Sequence, residues 1–404
     1  MIISPAHRTE SVQEYYFSRK LKEIASMNAA REAAGEEPVI NLGIGSPDGM
    51  PPQETVGALC ASALQPGSHA YQSYVGLPEL RHAFADWYAR WYGVQLDPKT
   101  EIQPLVGSKE AILLISLAFL NKGDKVLVPD PGYPTYSSAS RLVEAEIVTY
   151  DLCEENGWQP DFDTLEQIDL SGVKIMWTNY PNMPTGAPAS EDLYARLVDF
   201  GRRHGIMICN DNPYSFILND SPLSILAQPG ARDCCLELNS LSKAHNMAGW
   251  RIGMVAAEAD VIAQILKVKS QMDSGMFKPL QLAAVEALKQ GPEWFAELNA
   301  EYARRRVLAG EIFDMLGAEY DRNSSGMFLW GKMPTLASLG RNAKTPGEEI
   351  SDRILQEAGV FITPGFIFGR NGENYVRISL CAKPEVLQEA KCRVMRAMQV
   401  IDSK

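Results

Sequence analysis

The segment from Ser240 to Gly253, SLSKAHNMAGWRIG, sets a lysine behind two serines and places an arginine just before a glycine and an apolar run. A lysine amine condenses with an aldehyde only when neutral. A nucleophilic Lys243 therefore needs burial or a neighbouring cation to disfavour its ammonium form, and Arg251 could be that cation. Arg251 could equally grip a phosphate through its planar fork of donors, with the Ser240 hydroxyl as a second donor. A phosphorylated aldehyde would use both halves of the segment. A solvated lysine and a surface arginine around a turn would leave the same letters.

Other residues could serve the same chemistry. Gly107, Ser108 and Lys109 stand directly before the apolar run AILLISLAFL, where a helix N-terminus offers free N–H groups to an anion, although Ser108 could simply cap the helix. Asp211 ends the apolar run IMICN, a costly place for a carboxylate unless it is paired. It could pair with a protonated ring nitrogen, or form a turn with Asn212-Pro213. Tyr214 and Asn182 could donate to an oxygen on the same ring, and Tyr133 in DPGYPTY could stack on a flat ligand or on the core. Arg377, between apolar neighbours in NYVRISL, requires a carboxylate, either from a substrate or from the protein. The run LGIGSPD around Gly45 lacks the third glycine and following helix of a dinucleotide fingerprint, which counts against a nicotinamide cofactor.

Positioning these groups falls to short β-rich runs, IQPLV, VLVP, IVTY, VKIMWTN, IMICND, CLELNS and IGMVAA, separated by helix-length segments. The pattern predicts an α/β fold whose mostly parallel sheet is covered by helices on both faces. In such sheets ligands bind beyond the carboxyl ends of the strands, where NYPNMPTG, NPYS and LSKAHN fall. From about residue 285 the helical ELNAEYARRRVLAGEIFDML, then MFLWGKM and YVRISL, predict a smaller α+β unit. A large domain over 46–284 and a small one from 1–45 with 285–404 are expected. The N-terminal SRKLKEIASMNAAREAAG reads as a helix stopped by Gly35, packed on the small unit or on another subunit.

The formal net charge of −12, with no basic stripe to offset it, argues against nucleic acid as a partner. No apolar stretch reaches the roughly 20 residues of a membrane span, and the N-terminus lacks the order of a secretory signal, so a cytoplasmic location is expected. Seven scattered cysteines without a C-x-x-C pair read as mostly buried free thiols, and five histidines show no ligand spacing, so no metal is expected.

Taken together, and in this order over Asn41 to Leu380, these segments resemble the class I/II aminotransferases, the aspartate aminotransferase-like branch of pyridoxal 5′-phosphate (PLP) enzymes. The resemblance implies a PLP-dependent transferase fold, with Lys243 as the Schiff-base lysine and Asp211 as partner of the pyridine nitrogen. It implies Tyr214 and Asn182 as donors to the phenolic oxygen, Tyr133 stacked on the ring, and Gly107, Ser108, Lys109, Ser240 and Arg251 around the phosphate. Tyr71 is similar to the tyrosine that reaches the phosphate of the neighbouring subunit, which implies a homodimer, and Arg377 with the Gly45 region matches the α-carboxylate site. The family's N-P-x-N-P-T-G stands here as N-Y-P-N-M-P-T-G; anchoring on Pro184-Thr185-Gly186 gives Asn182 the cofactor role, with Asn179 as the other choice. The implied activity is ping-pong amino transfer from an α-amino acid to a 2-oxo acid, with a carbon–sulfur β-lyase as the alternative. Lys109 resembles a lysine that some aspartate enzymes place near a distal carboxylate. KVKSQMDSGMF resembles the diaminopimelate and alanine branch. The expected donors are therefore aspartate or glutamate, alanine, or diaminopimelate.

Overall fold

The computed structural model describes residues 3–12, 14–334 and 345–402. Seven strands form one sheet in the order Ile102–Leu105, Gly253–Ala256, Cys235–Ser240, Met207–Asp211, Val173–Thr178, Lys125–Asp130, Glu146–Asp151. Gly253–Ala256 runs antiparallel to both of its neighbours and the remaining pairs are parallel, as predicted from the spacing of the runs.

The strand Val173–Thr178 shows why the sheet lies inside. Ile175 and Trp177 join a cluster on one face with Val126, Val128 and Leu238. Met176, between them, joins a different cluster with Leu127, Phe200 and Ile208. Alternate residues of a strand point to opposite faces, so a strand apolar at every position needs a cover on both sides. The helix Ser108–Phe119 covers the first face, burying Ala111, Ile112, Leu114 and Ile115. On the second face lies Glu191–His204, which begins where the Ser190 side chain accepts from the Leu193 N–H at 3.1 Å and ends at left-handed Gly205. Truncating the fully buried Trp177 to alanine would cost about 3–5 kcal/mol.

A second, four-stranded antiparallel sheet has the order Thr363–Pro364, Tyr375–Ser379, Phe328–Lys332, Glu319–Tyr320. Residues of the helices Pro292–Met315, Pro346–Ala358 and Pro384–Asp402 bury apolar side chains against it, Ile312, Ile354 and Leu387 among them. The N-terminal segment joins this unit: Ile40–Asn41 pairs in parallel with Val360–Phe361, and the helix Tyr16–Ala33 sets Ile24 against Leu355 and Phe361. Gly35 follows that helix with φ +70. Arg305 of Pro292–Met315 holds Asp48 at 2.7 Å, tying down the loop that carries Gly45.

Among the described residues no helix is long and apolar enough to cross a membrane. All seven cysteines are free. Cys209, Cys235 and Cys381 are buried as expected, whereas Cys60 is exposed on its helix and the others are half-buried.

Candidate active site

Because Ile102–Leu105 and Cys235–Ser240 are both antiparallel to the strand between them, they run in the same direction, and the parallel strands share it. The carboxyl ends of these strands thus meet along one edge, and each delivers a predicted residue there. Ser108 follows Ile102–Leu105, Tyr133 follows Lys125–Asp130, Asp211 closes Met207–Asp211, and Ser240 and Lys243 close and follow Cys235–Ser240. They line a cavity of about 490 Å³ with Lys109, Tyr214, Arg251, Gly45 and Arg377.

Lys243 Nζ donates to the Gly45 carbonyl at 2.6 Å. Burial pushes its pKa below the ordinary lysine value. The cations Arg377 and Arg251 push the same way, against the pull of Cys381 and Asp211. The amine is therefore biased toward the neutral form that nucleophilic attack requires.

Asp211 accepts from the Tyr136 hydroxyl through Oδ2 at 3.0 Å, while Oδ1 is buried with no partner. Burial raises its pKa to about 7, opposed by the Tyr136 hydrogen bond and the Lys243 charge. Tyr136 is itself fixed by stacking on Trp177, with centroids 4.9 Å apart and planes 5° apart. The turn with Asn212-Pro213 is not what holds this carboxylate, since the backbone N–H of Asn212 donates to the Leu238 carbonyl at 2.9 Å and proline has no N–H to give. An orphaned buried acceptor costs about 1–3 kcal/mol, which a cationic N–H arriving in the cavity would recover.

At the other end of the cavity Arg251 has a left-handed φ of 57°, and its Nη1 donates to Ala248 O at 2.8 Å and Ser242 Oγ at 3.3 Å. Ser240 Oγ lies 2.9 Å from Ser242 Oγ. The guanidinium lies over Gly107, whose left-handed φ of +78 strains any residue with a side chain. Gly107, not Ser108, is the N-cap of Ser108–Phe119, and no side chain caps that helix, which leaves its first N–H groups for an anion. Lys109 Nζ stands 5.1 Å from the Tyr15 ring centroid and 5.9 Å from that of Tyr133.

Arg377, from Tyr375–Ser379, has no carboxylate partner within the described chain. Its Nη2 donates to Gly43 O at 2.8 Å, its Nη1 meets Met183 Sδ at 3.2 Å, and its Nε is buried and unpaired. The rings of Phe328 and Phe368 sandwich it, with centroids at 3.9 and 4.6 Å, and burial lowers its pKa to about 10. A desolvated guanidinium with a free donor is a seat for a substrate carboxylate.

Asn182 does not line the cavity. Its Oδ1 accepts from the Thr185 hydroxyl at 2.8 Å and its Nδ2 donates to Asn179 O at 3.1 Å, so its amide shapes the loop instead of facing a ligand. Asn179 and Met183 line the cavity in its place. Tyr71 is also outside the cavity of its own chain, 90% exposed. Ser242 and Tyr136 were missed in sequence, though each sits inside a motif already singled out. Tyr15 and Phe17 carry no motif, and nothing in the letters signals that they reach the cavity.

Among the described residues no group of His, Cys, Asp and Glu could hold a metal. The donors present fit PLP: a buried amine for an aldehyde, an unsatisfied buried acceptor for a pyridinium, and a serine–arginine cup on a helix N-terminus for a phosphate. Fold and site together define the class of PLP-dependent enzymes. Residues 37–393 match the family described as aminotransferase class I and II, and the chain belongs to that family, whose members depend on PLP. It is 39% identical over 387 residues to an LL-diaminopimelate aminotransferase of Dehalococcoides mccartyi, covering 95% of this chain and 96% of that one. It is 41% identical over 358 residues to the LL-diaminopimelate aminotransferase of Aquifex aeolicus, covering 88% and 90%. The structure described as substrate-bound BacF from Bacillus subtilis superposes with a TM-score of 0.89 at 34% identity, covering 98% of both chains. The chain is a PLP-dependent aminotransferase.

Proposed function

We propose that this aminotransferase takes its amino group from LL-diaminopimelate or a closely similar diamino diacid and passes it to a 2-oxo acid. The observation that carries the chemistry is the convergence of Lys243, the unpaired Asp211 Oδ1 and the unpaired Arg377 Nε on one cavity. The names of the relatives support the substrate. Lys109, which also lines the cavity, supports a dicarboxylic donor over alanine, because a distal carboxylate would meet it while Arg377 holds the proximal one; the choice among such donors rests on the relatives.

When bound, PLP supplies an electron sink for the bonds at the amino acid's Cα. The protein supplies the rest. Lys243 would hold the cofactor's aldehyde and would carry the α-proton, a role suited to an amine already biased toward neutrality. Asp211 would set a compensating negative charge at the pyridine nitrogen, and Tyr214 would offer a hydroxyl to the ring oxygen. Ser108, Ser240, Ser242 and Arg251 would hold the phosphate. The test is amino transfer from LL-diaminopimelate to 2-oxoglutarate. We expect a kcat/KM at least about tenfold above that for aspartate or alanine, equivalent to one well-made charged contact. A preference for either of those, or release of ammonia and pyruvate from a β-substituted donor in place of transfer, would remove the assignment.

The chain works as a homodimer in this reading. The exposed Tyr71, Tyr74, Met272 and Phe277 fall on two neighbouring segments, with the His69 and Phe277 rings 5.9 Å apart and Gly275 against Gln72. Such a patch wants a cover. Tyr71→Phe is expected to weaken PLP affinity about tenfold by losing one hydrogen bond to a charged group; full activity in a chain that sediments as a monomer would contradict that role. The division into two units is part of this reading and is supported by the two separate sheets; residue 284 lies inside the helix Lys278–Ala287, whose Ala284 and Ala287 pack in the larger sheet's cluster, so the junction belongs after that helix. The seven unpaired cysteines favour a reducing, cytoplasmic setting.

A further inference from the structure

The loop from Asn179 to Thr185 brings three side chains to or near the cavity, and its hydrogen bonds decide which one faces a ligand. The Asn179 amide is pinned at both ends to backbone, with Nδ2 donating to Asp211 O and Oδ1 accepting from Met183 N at 2.8 Å. Asn182 is turned away onto Thr185 and Asn179. Met183, the residue directly before Pro184, is 5% exposed, lines the cavity and places its sulfur 3.2 Å from Arg377 Nη1. A thioether is a weak acceptor and has no proton to give.

We infer that Met183 takes the place on this loop where a side-chain donor would otherwise face both the cofactor's ring oxygen and the carboxylate held by Arg377, so that Tyr214 serves the ring oxygen alone. The inference rests on the functional reading above. Its consequence is electronic as well as steric. A donor to the ring oxygen stabilises it most when the proton it shares with the Lys243 nitrogen has left, so a missing donor favours retention of that proton to higher pH. Restoring one hydrogen bond to a charged group moves such an equilibrium by about one pH unit. The groups that face Lys243 from the surrounding elements are Asp211, Tyr214, Arg251, Arg377 and Cys381, with Tyr133 beside them on the cavity wall. None of them is replaced by substitution at 183; Arg377 alone loses a contact, the Met183 sulfur, and the leucine variant loses it too and so controls for that.

The test uses the holoprotein. The visible absorbance of the bound cofactor is followed from about pH 5 to about pH 10 for wild type, Met183→Gln, Met183→Asn and Met183→Leu. Glutamine matches methionine in length and serves if the asparagine variant does not fold. We expect the midpoint to fall by about one unit in the amide variants, with KM for the amino donor falling about tenfold and kcat changing less than about threefold, because the new donor also reaches the carboxylate. Leucine should leave the midpoint within about 0.2 units of wild type, since neither side chain donates. A midpoint unmoved by both amides, or moved by leucine as far as by glutamine, overturns the role of Met183. A wild-type protein that stays colourless with the B6 aldehyde would instead defeat the functional reading beneath it.

Discussion

Lys243→Ala is expected to lower amino transfer by about 10⁴-fold or more, the size of effect seen when one group is both covalent anchor and proton carrier. Lys109 is another amine lining the cavity, but it stands over the Tyr15 and Tyr133 rings and not at the Gly45 carbonyl that Lys243 meets. Arg251 and Arg377 are cations that no protein environment deprotonates at neutral pH, and Asp211 lies on the cavity as a carboxylate hydrogen-bonded to Tyr136. The variant should still bind the cofactor through the serines and Arg251, but lose it on dialysis. Turnover within tenfold of wild type would show that another amine does the work. Added methylamine, small enough for the space left by the side chain, should restore part of the rate and separates loss of chemistry from loss of fold.

Asp211→Asn should cost about 10³-fold in kcat/KM, because a preorganised charge in a dry site is replaced by a neutral dipole of the same shape. The same substitution carries a stability signature of the opposite sign. In the folded apoprotein the carboxyl titrates near 7, raised by burial, whereas in the unfolded chain it titrates near the ordinary value of about 4. Between those values the folded state holds the extra proton, so this residue makes stability fall as pH rises from about 4 to about 7, and the loss is complete above that. The apo variant should therefore melt above apo wild type at pH 8, and the gap should close toward pH 4. A gap of the same size at both pH values would mean that the carboxylate is not strained in the empty cavity.

The large sheet was legible because its strands are apolar at nearly every position and each is followed by a polar loop; Val173–Thr178 and Met207–Asp211 carry that signal plainly. The charged residues Asp211, Lys243 and Arg251, which line the cavity, stood out for the same reason, since a charge near an apolar run needs an explanation. Asn182 was not. The choice between it, Asn179 and Met183 depends on which way a proline-rich loop turns its amides, and that is fixed by Thr185 and by the Asp211 backbone, contacts that spacing does not encode. Tyr15 and Phe17 were hidden for a different reason. They come to the cavity only because Ile24 and its helix dock on Leu355 and Phe361, at the far end of the chain.

Arg377 hangs from the smaller antiparallel sheet, whereas Lys243 and Asp211 are rooted in the larger one. In this reading the seat for the carboxylate common to all α-amino acids hangs from one piece of scaffold and the bond-breaking groups from the other. A small slide of one sheet against the other would move the meal without disturbing the furnace.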